Sequence, residues 1–245
     1  MSNSCAFGQF WHWTAPLAAR GGWRMPPGSQ ARDPEVTIVL WMMRQLLADA
    51  RFYQRLTRVE NGAIRSLART VLSSRGLWLL AFHRIAYYCA RRRDRRGALW
   101  WSARAAKGAG TLFSVMFCRS AFIDDCEISG PIYLANRGYL ICGARSIGEG
   151  SLIHDRCSLG YAVARRDEGR PVIGRNVWIG PNCVVGGAVT VGDGATLLPG
   201  SFLTYSVPPG AVVKGNPASI VGRNFDNSVL RRSLAIVQDV VATGP

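Results

Sequence analysis

A chain of 245 residues, 48% of them hydrophobic, is long enough for one or two domains with substantial cores. The formal net charge is +15, but residues 44–120 carry 16 Lys and Arg against 3 acids while residues 121–222 carry 8 against 8, so a uniformly basic protein is excluded. Seven cysteines without CxxC spacing and three histidines exclude a zinc-binding pattern, and no apolar run reaches the roughly 18 residues a membrane span needs.

Residues 1–41 hold Trp11, Trp13, Trp23 and Trp41, the pair Pro26–Pro27 and scattered glycines, with no sustained helical or strand period. They are predicted to be largely unstructured. A helical pattern starts at Met42 or Met43, either of which is therefore a candidate for the true start of the chain. No signal-peptide layout precedes it.

Residues 42–120 are predicted to form a basic α-helical domain. Leu46, Leu47, Ala50, Tyr53 and Leu56 recur at roughly helical spacing, followed by Ile64, Leu67, Val71 and Leu72, then by Leu77, Leu80, Ala81, Ile85 and Tyr88. Ser73, Ser74 and Gly76 mark a break, the serines being good N-caps. The arginine run at 91–96 is predicted to end the third helix, where cations suit the helix dipole. Residues 98–117 form a last helix leading into a repeat.

From Ile141 the period changes to six. Ile141, Ile147, Ile153 and Leu159 are followed, after a 14-residue step, by Ile173, Ile179, Val185, Val191, Leu197 and Leu203. Glycine often comes next: Gly148, Gly160, Gly174, Gly180, Gly186 and Gly192. Val177, Cys183, Val189, Ala195 and Ser201 occupy a second, small-residue phase. Three sixes make one triangular coil, with the aliphatics pointing inward and the glycines expected at corners that need unusual dihedrals. The predicted class is α+β: an N-terminal α-helical segment followed by a left-handed parallel β-helix over 121–222, with 223–245 as a tail. Several of the seven cysteines fall in or beside the aliphatic slots of this repeat and read as small buried hydrophobes, which suits a reducing cytoplasm.

The repeat, Val207-Pro208-Pro209-Gly210 and Gly215-Asn216-Pro217-Ala218 resemble the acetyl-CoA-dependent hexapeptide-repeat acyltransferases. The nearer resemblance is to serine O-acetyltransferase and its relatives in polysaccharide biosynthesis, including the 14-residue step from Leu159 to Ile173. Arg75-Gly76-Leu77 and His83-Arg84 resemble the helices that precede the β-helix there. The resemblance implies acetyl transfer from acetyl-CoA to a hydroxyl of serine or a sugar, and a homotrimer.

A hydroxyl is a poor nucleophile near neutral pH and needs a base. The family uses a histidine oriented by a carboxylate, and a second histidine on the loop. In the matching register the Asp falls at Leu134, the first histidine at Ala135 and the second at Arg170. Three readings stay open. His154, beyond Asn136 by about one coil, replaces the base with help from Asp155 or Glu168. Alternatively, Arg170 serves a different acceptor by holding an anionic sugar or stabilising the oxyanion. Finally, the chain is a non-catalytic relative that acts as a binding or scaffold trimer. His154, Arg170 and Asn136 are the candidate catalytic residues. Gly180, Gly186 and Ala195 are candidates to line the pantetheine groove between subunits, and Lys214 to meet a phosphate. No metal is expected.

The basic segment is read as a solvated helical face or, alternatively, as one that faces an anionic membrane surface, since no aromatic-interleaved nucleic-acid motif accompanies it. The expected location is cytoplasmic, peripheral to the inner membrane. The tail ends in Pro245 and lacks the terminal Ile through which bacterial serine acetyltransferases dock a sulfhydrylase, so no cysteine synthase complex is expected.

Overall fold

The computed structural model describes residues 34–56, 64–90, 98–122, 125–135, 139–161 and 169–232. Contacts divide the chain into Met1–Ile38 and Val39–Pro245. The described part of the first unit is the opening of helix α1. That helix runs Pro34–Leu56, so helical structure begins ahead of Met42, where the sequence pattern placed it.

Helix α2 (Ile64–Ser73) and helix α3 (Arg75–Ala90) are separated at Ser74, whose carbonyl accepts the N–H groups of Leu77 and Trp78. Helix α4 (Ala98–Phe113) passes into one π-helical turn, Ser114–Cys118, closed by Arg119 in the left-handed region. The expected single helix over 98–117 therefore changes its winding before the repeat. The arginine run at 91–96 lies outside the described residues.

Among the described residues fifteen short strands follow: β1 (Ala121–Phe122), β2 (Glu127–Ile128), β3 (Tyr133–Leu134), β4 (Ile141–Cys142), β5 (Ser146–Ile147), β6 (Leu152–Ile153), β7 (Ser158–Gly160), β8 (Val172–Ile173), β9 (Trp178–Ile179), β10 (Val184–Gly186), β11 (Thr190–Val191), β12 (Thr196–Leu197), β13 (Phe202–Leu203), β14 (Val212–Lys214) and β15 (Ser219–Gly222). They stack into three sheets: sheet A of β1, β4, β7, β10 and β13; sheet B of β2, β5, β8 and β11; and sheet C of β3, β6, β9, β12, β14 and β15. Every pairing is parallel except β14 with β15. The chain visits B, C and A in turn and then repeats, which is a three-faced parallel coil around one core. Ile147, Ile153, Leu159, Ile173, Ile179, Val185, Val191, Leu197 and Leu203 are all buried in that core, as is the small-residue phase.

One phase assignment fails. Ile141 is 54% exposed, and Cys142 is the inward residue that pairs with Leu159. The corner from Cys142 to Ile147 is one residue shorter than six, so an unbroken period carries Ile141 to the outer face.

The glycines after the aliphatics also act differently from expectation. Six positive-φ positions lie three residues after an inward aliphatic: Gly150, Arg156, Asn176, Asn182, Gly194 and Gly200. Gly148 is glycine for lack of space: a Cβ there would lie 2.6 Å from the Arg175 nitrogen and the Gly174 carbonyl carbon. Gly148→Ala is expected to cost about 1–3 kcal/mol, because backbone of the next coil cannot yield as a flexible side chain would. Thermal unfolding checks this.

The helices close the open N-terminal end of the coil. Strands β2 and β3 are sheet edges whose backbone groups lack a preceding coil. The Tyr53 hydroxyl donates to the Leu134 carbonyl at 2.9 Å and accepts the Leu134 N–H at 2.8 Å. His83 Nε2 donates to the Cys126 carbonyl at 2.9 Å. Arg84 donates to the carbonyls of Ile128 and Gly130 and pairs with Asp49 through Nε at 2.6 Å. Tyr53→Phe removes both of its edge bonds and is expected to destabilise by about 1–3 kcal/mol in urea unfolding.

Candidate active site

The corner after sheet C is built by register. Leu134 pairs with Ile153, Ile153 with Ile179, Ile179 with Leu197, and Leu197 with Val213. The residues that follow these five are therefore stacked in one column: Ala135, His154, Gly180, Leu198 and Lys214. Three expected site residues share that column. His154 sits one coil from Ala135, and Lys214 lies three strand spacings from His154, about 14 Å.

His154 is half-buried. Its ring lies 4.9 Å from that of Trp178, tilted by 58°. Its Nε2 is sealed from solvent without a hydrogen-bond partner, as is Trp178 Nε1. That leaves Nδ1 as the ring nitrogen able to meet a hydroxyl. Burial pulls the His154 pKa down to about 4, and no carboxylate offsets it. Asp155 thus does not tune the imidazole as the sequence reading expected, and Glu168 lies outside the described residues, as does Asn136. The imidazole is neutral at pH 7, so its free nitrogen is a proton acceptor of low basicity.

Arg170 stands at another corner, between sheets A and B. Its Nη1 and Nη2 donate end-on to the two carboxylate oxygens of Asp125, the Nη2 contact being 2.7 Å. A bidentate pair of this kind occupies two of the five guanidinium N–H donors and balances the charge. Arg170 therefore does not share the His154 corner within one chain, and it is not a free cation.

The cofactor candidates divide in the same way. Gly180 belongs to the His154 column, but a Cβ there would meet the Leu197 carbonyl oxygen, the Pro199 nitrogen and the Trp178 ring at 2.9 Å, so the coil itself demands glycine. Gly186 ends strand β10 at the Arg170 corner and pairs with Gly160. Ala195 is fully buried in the coil's core, so it faces away from any outer groove, contrary to the groove role expected for it. Lys214 is exposed at the end of β14.

Two residues have roles that spacing and composition do not announce. Trp178 is an outward-facing residue of sheet C, beside Leu152 in the ladder and part of the same apolar cluster as Tyr53, Leu77 and Tyr133. Gly160 is the other: a Cβ there would meet nothing within 4 Å, and its φ is not positive, so neither space nor backbone explains glycine. Its place directly before the long loop was the available signal. Cys126, Cys142, Cys157 and Cys183 are free and buried. Burial raises the Cys157 thiol to about 12, which removes it as a nucleophile near neutral pH.

Residues 170–204 match the family pattern described as "Bacterial transferase hexapeptide (six repeats)". The chain carries the bacterial transferase hexapeptide repeat. It is 42% identical over 59 residues to a chloramphenicol acetyltransferase of Agrobacterium fabrum, an alignment covering 24% of this chain and 28% of that protein. It is 41% identical over 49 residues to the galactoside O-acetyltransferase of Escherichia coli, covering 20% and 24%. The chain thus matches only about a quarter of the length of these two relatives. Among solved structures, serine acetyltransferase from Brucella abortus superposes with a TM-score of 0.62 at 20% identity, over 78% of this chain and 73% of that one. Serine acetyltransferase from Vibrio cholerae gives 0.62 at 22% identity, over 82% and 73%. The last two show a shared fold that reaches well beyond the repeat.

Proposed function

We propose that this chain is an acetyl-CoA-dependent O-acetyltransferase that acts on a hydroxyl of serine or of a saccharide. The observation that carries the reading is the corner column: His154 stands one coil from the position where the resembling enzymes keep their histidine. In the reaction, His154 Nδ1 takes the hydroxyl proton as the oxygen attacks the thioester carbonyl. The C–S bond then breaks, and the departing CoA thiolate recovers a proton. The coil is left-handed, as in the hexapeptide family.

Gly160 and Gly186 fit a close approach of the pantetheine arm, because the space beside Gly160 is empty, and Lys214 is placed to meet a phosphate. The assembly is a homotrimer. The outward residues of sheet A support it, since Ile141 and Phe202 present apolar surface to solvent in the isolated chain. The location is cytoplasmic, supported by the free buried cysteines.

A second reading has its own support. The chain lacks the oriented imidazole, Leu134 is buried and engaged by Tyr53, and Arg170 is paired with Asp125. These features suit a non-catalytic scaffold trimer. Thiol release from acetyl-CoA across serine and sugar acceptors separates the two. Turnover with any acceptor supports the enzyme; CoA binding without turnover across the panel supports the scaffold.

A further inference from the structure

Helix α4 has one inner face and one outer face. Its inner face is fixed by Gly110, packed against the Phe82 side chain, and by Phe113, whose ring lies 5.8 Å from that of Phe82. The opposite face carries Trp101 and Leu112, which are three helical turns apart on one line. They are 65% and 66% exposed. Met116, one turn on, is 67% exposed, and Phe117 follows it into solvent. Arg104 and Lys107 lie to one side of the line, about 60° and 120° around the helix, and are exposed, as is Arg119 at its end. Trp101 at one end of the face and Leu112, Met116 and Phe117 gathered at the other, with small Ala105 and Gly108 between and cations beside them, depart from the scattered single exposures normal on a soluble surface.

Charge selects the occupant. Between Glu60 and Asp124 the sequence holds twelve Lys and Arg and a single acid, Asp94. A second copy meeting this face across a two-fold axis would bring like charge against like charge. A polynucleotide would answer the cations but leave Leu112 and Met116 in water. No helix among the described residues is long and apolar enough to cross a membrane. We infer that the outer face of α4 and its π-helical turn docks on an anionic bilayer surface. Trp101, Leu112, Met116 and Phe117 enter the headgroup–acyl boundary, and Arg104, Lys107 and Arg119 meet lipid phosphates. This moves the membrane contact expected at the arginine run onto a described helix, and it is independent of the acetyl-transfer reading.

The test is co-sedimentation of the full chain with vesicles of phosphatidylcholine alone or mixed with phosphatidylglycerol. Binding is expected on the anionic vesicles, roughly tenfold above neutral ones, and is expected to fall at high salt. Leu112→Ser with Met116→Ser, and separately Arg104→Glu with Lys107→Glu, should each lower binding by about tenfold while circular dichroism stays unchanged. Leu112→Phe with Met116→Leu should retain it, which separates lost insertion from a damaged helix. Equal binding to both vesicle types would overturn the inference, and so would binding that survives the serine pair. A change of oligomer size in the serine pair would assign the face to a second copy and overturn it as well.

Discussion

Replacing Arg84 with Met is expected to lower stability by about 3–5 kcal/mol, the loss typical of a broken buried ion pair. Arg84 and Asp49 are both almost fully buried, and Nη2 adds a second contact to Asp49 at 3.0 Å. The same guanidinium satisfies the carbonyls of Ile128 and Gly130 on the edge of sheet B. Methionine fills the volume but leaves a lone carboxylate and two edge carbonyls without a donor. Urea unfolding of the variant measures the loss. The double variant Asp49→Asn, Arg84→Met should recover part of it, since no unpaired charge then remains; a double variant weaker than the single would contradict this account.

The pH dependence has a definite sign. Burial lifts the Asp49 pKa from 3.8 to about 6 even with Arg84 beside it. Without Arg84 it rises further, so the folded variant holds its proton more firmly than the unfolded chain does. A raised folded pKa gives stability that is present at low pH and lost as pH climbs through that value. The deficit of Arg84→Met relative to the parent should therefore widen above pH 6.

The period of six was readable because a coil places one inward residue per strand and the core accepts only apolar atoms there. The reading slipped where two adjacent residues were both apolar: Ile141 and Cys142 compete for the inward slot, and only the shorter corner decides for cysteine. The glycines were visible but their purpose was not, since crowding by the next coil and a positive φ leave the same letter in the sequence. Contacts between distant segments were beyond reach. Tyr53 meets Leu134 across 81 positions, and Arg84 meets Asp49 across 35, with no local pattern to announce either. The candidate site was legible only in part. His154 and Lys214 were found as residue types, but the pairing of His154 with Trp178 depends on a coil lengthened by the loop, which spacing alone does not place.

His154→Ala is expected to reduce acetyl-CoA turnover by about a hundredfold to ten-thousandfold, the usual contribution of a general base. Retained thiol release in that variant would remove His154 from the chemistry. A second readout works without any acceptor. The folded pKa near 4 lies below the ordinary histidine value of 6.5, so between these values the unfolded chain binds a proton that the folded chain refuses. Stability is thus kept above pH 6.5 and lost as pH falls toward 4, by about 2–3 kcal/mol after allowance for the partly exposed ring. His154→Gln, which does not titrate, should flatten that stretch of the stability profile. If the imidazole instead meets a carboxylate of a neighbouring chain in the assembled trimer, its pKa returns toward neutrality, and the slope shrinks as protein concentration rises. The slope at two concentrations therefore shows whether the imidazole is governed by its own burial or by assembly, and only a base restored by assembly is strong enough to serve near neutral pH.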